Sequence, residues 1–172
     1  MSDNYVDAYI GLGANLGDPI AQLQSALRVL ACMEHSELVA VSPFYRSPPM
    51  AIDGEIPDQP EYINAVAHLR TKVSAQRLLA ALLYIEQTHG RVRDGHKWDA
   101  RTLDLDLLLF GDAIINEPGL QVPHPGLVAR AFVLYPLYDL QQNILLPGIN
   151  NNLAQLLQHC PLAGLQKINE IA

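Results

Sequence analysis

Cysteine is nearly absent from this chain: Cys32 and Cys160 are the only two among 172 residues. Thiols so few and so far apart give neither the clustered spacing of a zinc site nor a disulfide framework, and they read as reduced thiols of a cytoplasmic protein. No unbroken apolar run is long enough to span a bilayer. The opening Met-Ser-Asp-Asn-Tyr has no basic region leading into a greasy stretch, so no export signal is expected. Positive charge is scarce too, with 11 Lys and Arg against 18 Asp and Glu and a net charge of −7. That balance argues against a general nucleic-acid binder. Internal repeats, low-complexity tracts and a second-domain boundary are all missing. At 49% hydrophobic content the chain is sized for one domain, residues 1–172, with its own core.

The scarcity of positive charge makes one concentration of it conspicuous. Four of the eleven basic residues, Arg91, Arg93, Lys97 and Arg101, fall in one short stretch. Immediately after it, Leu103, Leu105 and Leu107 alternate with Asp104, Asp106 and Leu108, the period of a β-strand with one face in the core. Residues two apart on a strand share a face at about 7 Å, so Asp104 and Asp106 present two carboxylates to one spot. Like charges held so close repel unless a cation stands between them. Two readings fit. One is a site that holds Mg²⁺ and a polyphosphate together, served by hard oxygen ligands and a local basic patch. The other is a polar edge strand whose acids pair with nearby arginines.

Around this stretch the chain reads as alternating elements. Tyr5 to Leu12 is a first strand, with Val6, Ala8, Ile10 and Leu12 in one register. Gly11 to Gly17 is glycine-rich but has neither the dinucleotide nor the Walker spacing, and it reads as a strand-to-helix turn. Asp18 caps a helix with Pro19 at its first position, and Ile20, Leu23, Leu27 and Leu30 mark its apolar stripe. Glu37 to Tyr45 is a second strand, ended by Pro43 or running past it as an edge. Residues 46–60 carry four prolines and a glycine and read as a mobile lid.

Tyr62 to Leu69 alternates again, with Asn64 in mid-strand. That carboxamide either bonds neighbouring backbone or reads the edge of a heterocycle. His68 is expected at a wet strand end without a role. A helix runs from Ser74 to about His89 on Leu78, Leu79, Leu82 and Ile85, stopped by Gly90. Its last turn holds Glu86, where the helix dipole disfavours a carboxylate. An ion pair with Arg91 or Arg93 explains it, or a cation or substrate partner. After the Asp-x-Asp strand come a short hairpin (Ile114 to Val122), a helical piece from Leu127 to Leu137 carrying Arg130 and Phe132, and a final helix from Asn152 to His159. No chemistry is expected beyond Pro161.

The order strand, helix, strand, strand, helix, strand is the split βαβ of an α+β, ferredoxin-like core. It predicts a mainly antiparallel sheet with both helices on one face. The other face is then free for a site or for the C-terminal helices, and it is where Asn64 and the aspartate pair fall together.

Several motifs in sequence resemble one family. Arg101-Thr-Leu-Asp104-Leu-Asp106-Leu-Leu, preceded by Gly90-Arg-Val-Arg93 and Lys97-Trp98, is similar to the 6-hydroxymethyl-7,8-dihydropterin pyrophosphokinases of folate biosynthesis. So are Tyr9-Ile-Gly-Leu-Gly-Ala-Asn-Leu-Gly17, Phe44-Tyr-Arg-Ser-Pro-Pro-Met50, Tyr62-Ile-Asn64, Val122-Pro-His124 and Arg130-Ala-Phe132. The resemblance implies a three-layer α-β-α arrangement around the ferredoxin-like core. It implies transfer of the diphosphate of ATP to the hydroxymethyl group of the pterin, with release of AMP. Asp104 and Asp106 would hold two Mg²⁺ ions, with Arg91 and Arg93 acting at the phosphates. Glu86, Lys97, Trp98, Arg101, His124 and Arg130 would bind ATP. Ser47, Pro48, Met50, Tyr62, Asn64 and Phe132 would bind the pterin, stacked between Tyr62 and Phe132. No general base is implied, and a monomer without nucleic-acid or membrane partners is expected.

Departures from the family pattern are Asp99 in place of a glycine, Lys97 for arginine, Leu83 for a glutamine, Pro125 after His124, and a longer Ile52–Pro57 segment. They bear on nucleotide affinity and lid kinetics. The rival readings are a metal-dependent nucleotidyltransferase or nucleotide hydrolase, and a non-catalytic ferredoxin-like binding module.

Overall fold

A computed structural model describes residues 4–90 and 102–169. Strand β1 (Val6–Ala14) opens the chain and puts Ala8, Ile10, Leu12 and Ala14 into the core. It runs past the expected end at Leu12, so Gly11 and Gly13 are part of the sheet and not of a turn. Only the stretch to Gly17, at φ 63°, turns the chain. The Asp18 side chain then accepts the Ala21 N–H and starts helix α1 (Pro19–Ala31), with Leu23, Ala26 and Leu30 fully buried.

The expected second strand is divided. Strands β2 (Ser36–Val41) and β3 (Phe44–Ser47) both pair with β4 (Tyr62–Thr71). Pro43 has no N–H for the ladder. Ser42 bridges the gap: its N–H donates to Val66 O and its hydroxyl accepts the Val66 N–H, both at 2.9 Å. The residues between β3 and β4 are not wholly irregular either, since Ile52 and Glu55 form an isolated bridge.

Ser74 caps helix α2 (Ala75–Thr88), which buries Leu78, Leu82 and Ile85, and strand β5 (Asp104–Phe110) follows. A hairpin of β6 (Ile115–Glu117) and β7 (Leu120–Val122) leads to a 3₁₀ turn at Leu127–Ala129. Helices α3 (Ala131–Leu140) and α4 (Leu153–Gln158) come next. The tail adds what the sequence did not suggest, a strand β8 (Gln166–Ile168) paired with β3.

Strand order is β5-β1-β4-β3-β8, with β2 also on β4 and every pairing antiparallel. This is the ferredoxin-like split βαβ, extended at one edge by β8. Helices α1 and α2 pack on one face against Ile10, Leu12, Leu69 and Leu105. Helices α3 and α4 pack on the other against Tyr9, Val66 and Leu108, which completes three layers. A register shift opposite Tyr9 and Ile10 marks a bulge in β5, and beyond it Leu108 and Leu109 both join the α3 side. His68 is not at a wet strand end. It sits within β4 opposite Tyr9, stacked on that ring at 4.6 Å, with Nε2 2.8 Å from Asp7 Oδ1. Among the described residues no helix is long and apolar enough to cross a membrane.

Candidate active site

The alternation that starts at Leu103, just before β5, sends Leu103, Leu105 and Leu107 into the α1/α2 core and turns Asp104 and Asp106 to the α3 side. Opposite Asp104 on β1 stands Gly13, and opposite Asp106 stands Gly11. Gly13 is in turn paired with Asn64 on β4, so Asn64, Gly13 and Asp104 form one row across three strands. The middle strand has no side chain at that row. A Cβ at residue 13 would lie 3.2 Å from Asn64 Oδ1, tighter than an ordinary contact. The glycine pair thus clears space between the carboxamide and the two carboxylates. Glycine in a strand often marks a place where a ligand comes close to the backbone. That signal was available in the sequence once Gly11 and Gly13 are assigned to a strand.

Asn64 is only 4% exposed, and its Nδ2 donates to Ser47 Oγ at 2.7 Å. Its partner is therefore another side chain of the site. Ser47 pairs with Tyr62 across the strands and leads into Pro48 and Pro49. These residues, with Gly11, Gly13, Met50, Arg130 and Phe132, line a narrow slot of about 80 Å³. Asn15, buried and not singled out by its sequence context, donates to the Pro60 carbonyl at 3.1 Å and to Gln59 Oε1 at 3.3 Å. It ties the end of the 46–60 segment to the end of β1.

A broader trough of about 470 Å³ lies on the other side of the aspartates, lined by Leu79, Leu83, Glu86, Glu117, Gln121, His124 and Pro125. Glu86 is 1% exposed, and its Oε1 accepts the Leu105 N–H at 2.8 Å, the backbone donor between the two aspartates. The carboxylate at the end of α2 thereby fixes the strand that presents Asp104 and Asp106. His124 Nδ1 accepts the Gly126 N–H at 3.0 Å, which leaves Nε2 facing Asp106 Oδ1 at 3.8 Å. Burial, then the Arg130 charge, pulls the imidazole below its ordinary value, while Asp104 pulls it up. The ring is accordingly neutral near pH 7 and presents an Nε2–H.

Arg130 lines the slot, with its guanidinium 5.9 Å from the Phe132 ring centroid. It packs where a Cβ at Gly126 would come within 2.5 Å, so residue 126 needs to be glycine for this placement. Asp104 and Asp106 line both cavities and form their common wall. Among the described residues no cluster of three or more acidic, His or Cys ligands occurs. The expected roles of Arg91, Arg93, Lys97, Trp98 and Arg101, like the Asp99 departure, lie outside the described residues.

A family model described as 7,8-dihydro-6-hydroxymethylpterin-pyrophosphokinase matches residues 9–142. The 2-amino-4-hydroxy-6-hydroxymethyldihydropteridine pyrophosphokinase of Pseudomonas aeruginosa is 46% identical over 160 residues, covering 93% of this chain and 95% of that protein. The protein of the same name from Haemophilus influenzae is 42% identical over 143 residues, covering 83% and 86%. Among solved structures, wild-type HPPK-DHPS of Plasmodium falciparum superposes with a TM-score of 0.69 at 15% identity. That match covers 90% of this chain and 41% of the larger one, a likeness of fold.

Proposed function

The chain belongs to the 7,8-dihydro-6-hydroxymethylpterin-pyrophosphokinase family, and from that premise we propose how its two cavities divide the reaction. The protein is an ATP-dependent pyrophosphokinase of folate biosynthesis. It moves the diphosphate of ATP to the hydroxymethyl oxygen of the pterin. A bond forms from that oxygen to the β-phosphorus as its O–H proton passes to water, the bond from the β-phosphorus to the bridging oxygen of the α-phosphate breaks, and AMP leaves with the electron pair.

In this reading the slot takes the pterin and the trough takes ATP. The observation that carries it is the shared wall: Asp104 and Asp106 border both cavities, so the attacking oxygen and the phosphorus would meet in front of them. The slot is narrow and bordered by Tyr62 and Phe132, which suits a flat heterocycle held by its faces. Asn64, steadied by Ser47, would read the edge of that ring, with the backbone of Ser47, Pro48 and Met50 beside it. The consecutive prolines stiffen that backbone and lower the ordering cost of binding. The trough is of the size usual for small-molecule sites.

The donor set fits magnesium. Two carboxylates with hard oxygens, Asp106 34% exposed at its side chain, stand beside strand positions free of side chains. Mg²⁺ is commonly held by one or two carboxylates and otherwise by phosphates and water. Asp104 and Asp106 would hold two Mg²⁺ ions, which would supply charge neutralisation for the polyphosphate and make the pterin hydroxyl more acidic, and no protein base is assigned. Glu86 holds the aspartate strand in place through Leu105. His124 offers a neutral N–H donor toward the phosphates, and Arg130 a cation at the slot end. Arg91, Arg93 and Arg101 would neutralise phosphate charge, and Lys97 and Trp98 would bind the nucleotide. Transfer of this kind depends on alignment and charge neutralisation more than on covalent chemistry by the protein. We read residues 1–172 as one catalytic unit, a cytoplasmic monomer without nucleic-acid or membrane partners.

The test is AMP release with and without the hydroxymethyl pterin. AMP that forms only when the pterin is present supports this reading. Pterin-independent breakdown of ATP would favour a nucleotide hydrolase, and no turnover with retained binding a non-catalytic module.

A further inference from the structure

Strand β8 lies beyond residues 9–142, where the family match ends, yet it reaches the face of the sheet that carries the slot. Cross-strand pairing sets Lys167, Tyr45, Asn64 and Gly13 side by side on β8, β3, β4 and β1. The Tyr45 ring is buried beside Asn64, and its hydroxyl donates to Asp139 Oδ2 in the last turn of α3. Lys167 Nζ donates to the other Asp139 oxygen at 3.2 Å and stands 5.6 Å from the Tyr45 ring centroid. Burial, followed by the Asp139 carboxylate, pushes the Tyr45 hydroxyl well above its ordinary range, so it remains a donor at any working pH. A carboxylate at a helix C-terminus is opposed by the helix dipole, and the ammonium of Lys167 offsets that opposition.

Asp139 and Phe132 are about two turns apart on α3 and share a face. Tyr45 and Ser47 are alternate residues of β3 and point the same way. The cluster therefore joins, behind the slot, the helix that supplies Phe132 to the strand that supplies Ser47. We infer that Asp139 is a positioning residue for the slot: holding Tyr45 on one side and Lys167 on the other, it fixes the separation of α3 from β3. The gap between Phe132 and the Ser47–Asn64 pair follows from that separation. This rests on the reading of the slot as the pterin site.

The two links are unequal. The Tyr45 bond is charge-assisted, with the tyrosine buried and the Asp139 side chain 24% exposed, the stronger class. The Lys167 side chain is 42% exposed, and exposed ion pairs contribute little. Loss of the Tyr45 link therefore has the larger effect.

The experiment titrates the full chain and its variants with hydroxymethyl-dihydropterin, and separately with a non-hydrolysable ATP analogue plus Mg²⁺, alongside thermal melts. Asp139→Ala is expected to weaken pterin binding about tenfold and to leave the ATP analogue within about twofold. Tyr45→Phe follows Asp139→Ala. Asp139→Asn keeps an oxygen to accept the Tyr45 hydroxyl and recovers to within about threefold of wild type. Unchanged pterin affinity in both Asp139→Ala and Tyr45→Phe overturns the inference. So does a parallel fall in both affinities that tracks the loss of Tm, the mark of a merely structural role. Should Asp139→Ala fail to fold, Tyr45→Phe and Lys167→Met decide. Selective loss of pterin affinity in Tyr45→Phe, larger than in Lys167→Met, supports it, and two silent variants overturn it. Wild type that binds no pterin sinks the site reading itself, whereas wild type that binds while the variants stay silent sinks this inference alone.

Discussion

Replacing Gly13 by alanine separates the site's geometry from the fold's stability. The added Cβ would sit 3.2 Å from Asn64 Oδ1, and its next neighbour, Ile63 O, lies at 4.0 Å. The carboxamide therefore has to give by a few tenths of an ångström, and it is held on its other side by the 2.7 Å bond to Ser47 Oγ. For the fold, glycine in a strand is worse than alanine by about 0.5–1 kcal/mol, because it loses more conformational freedom on folding. Gly13→Ala is therefore expected to leave thermal stability unchanged or slightly higher. For the pterin, a displaced carboxamide leaves ring-edge groups imperfectly paired, at a cost of about 1–3 kcal/mol. Affinity should fall by about tenfold to a hundredfold. Gly11→Ala, whose Cβ meets Leu108 at an ordinary 3.5 Å, also narrows the slot wall but leaves the Asn64 carboxamide where it is, so it measures loss of space without that displacement. Calorimetric titration with the pterin and a thermal melt of each variant provide the comparison. Unchanged pterin affinity in a folded Gly13→Ala protein would refute the argument that the empty row beside Asn64 belongs to the site.

Three further outcomes are expected. Asp106→Ala lowers turnover at least about a hundredfold, the scale of a lost electrostatic stabiliser, with little change in pterin binding measured without metal; steady-state turnover near wild type would remove the residue from the chemistry. Asn64→Ala weakens pterin binding by about 1–3 kcal/mol, the cost of unpaired polar edges, and calorimetry with no change would take Asn64 out of the slot. His124 is held below its ordinary 6.5 chiefly by burial, so the unfolded chain binds the extra proton more readily than the native one. Its contribution to stability is therefore intact above that value and is lost as pH falls below it. Metal-free His124→Gln should lose less stability than wild type between about pH 7 and pH 5, and equal losses in denaturant melts would refute the assignment.

The alternation of leucine and aspartate in β5 was legible because one face is core and the other is not, so period alone assigns sides. Asn64 stood out for the matching reason, a carboxamide among alternating apolar residues. The role of Gly11 and Gly13 was not legible from composition. Glycines between a strand and a helix look like a turn, and only the strands on either side, with Asn64 and Asp104 as neighbours, reveal an emptied row. The division of the second strand was half visible at Pro43, but the repair by Ser42 depends on Val66, a residue far along the chain. Strand β8 is held by pairing with β3 and by Asp139, both remote in sequence, and three residues carry too little pattern to announce a strand. His68 is half-buried because it stacks on Tyr9 across the ladder, a contact that alternation alone does not show.

A crystal structure with the hydroxymethyl pterin, Mg²⁺ and a non-hydrolysable ATP analogue bound together tests the shared wall most directly. The pterin is expected in the slot against Asn64, the nucleotide in the trough, and Asp104 and Asp106 at the metal between them. Aspartates facing bulk water, with the nucleotide elsewhere on the protein, would contradict it.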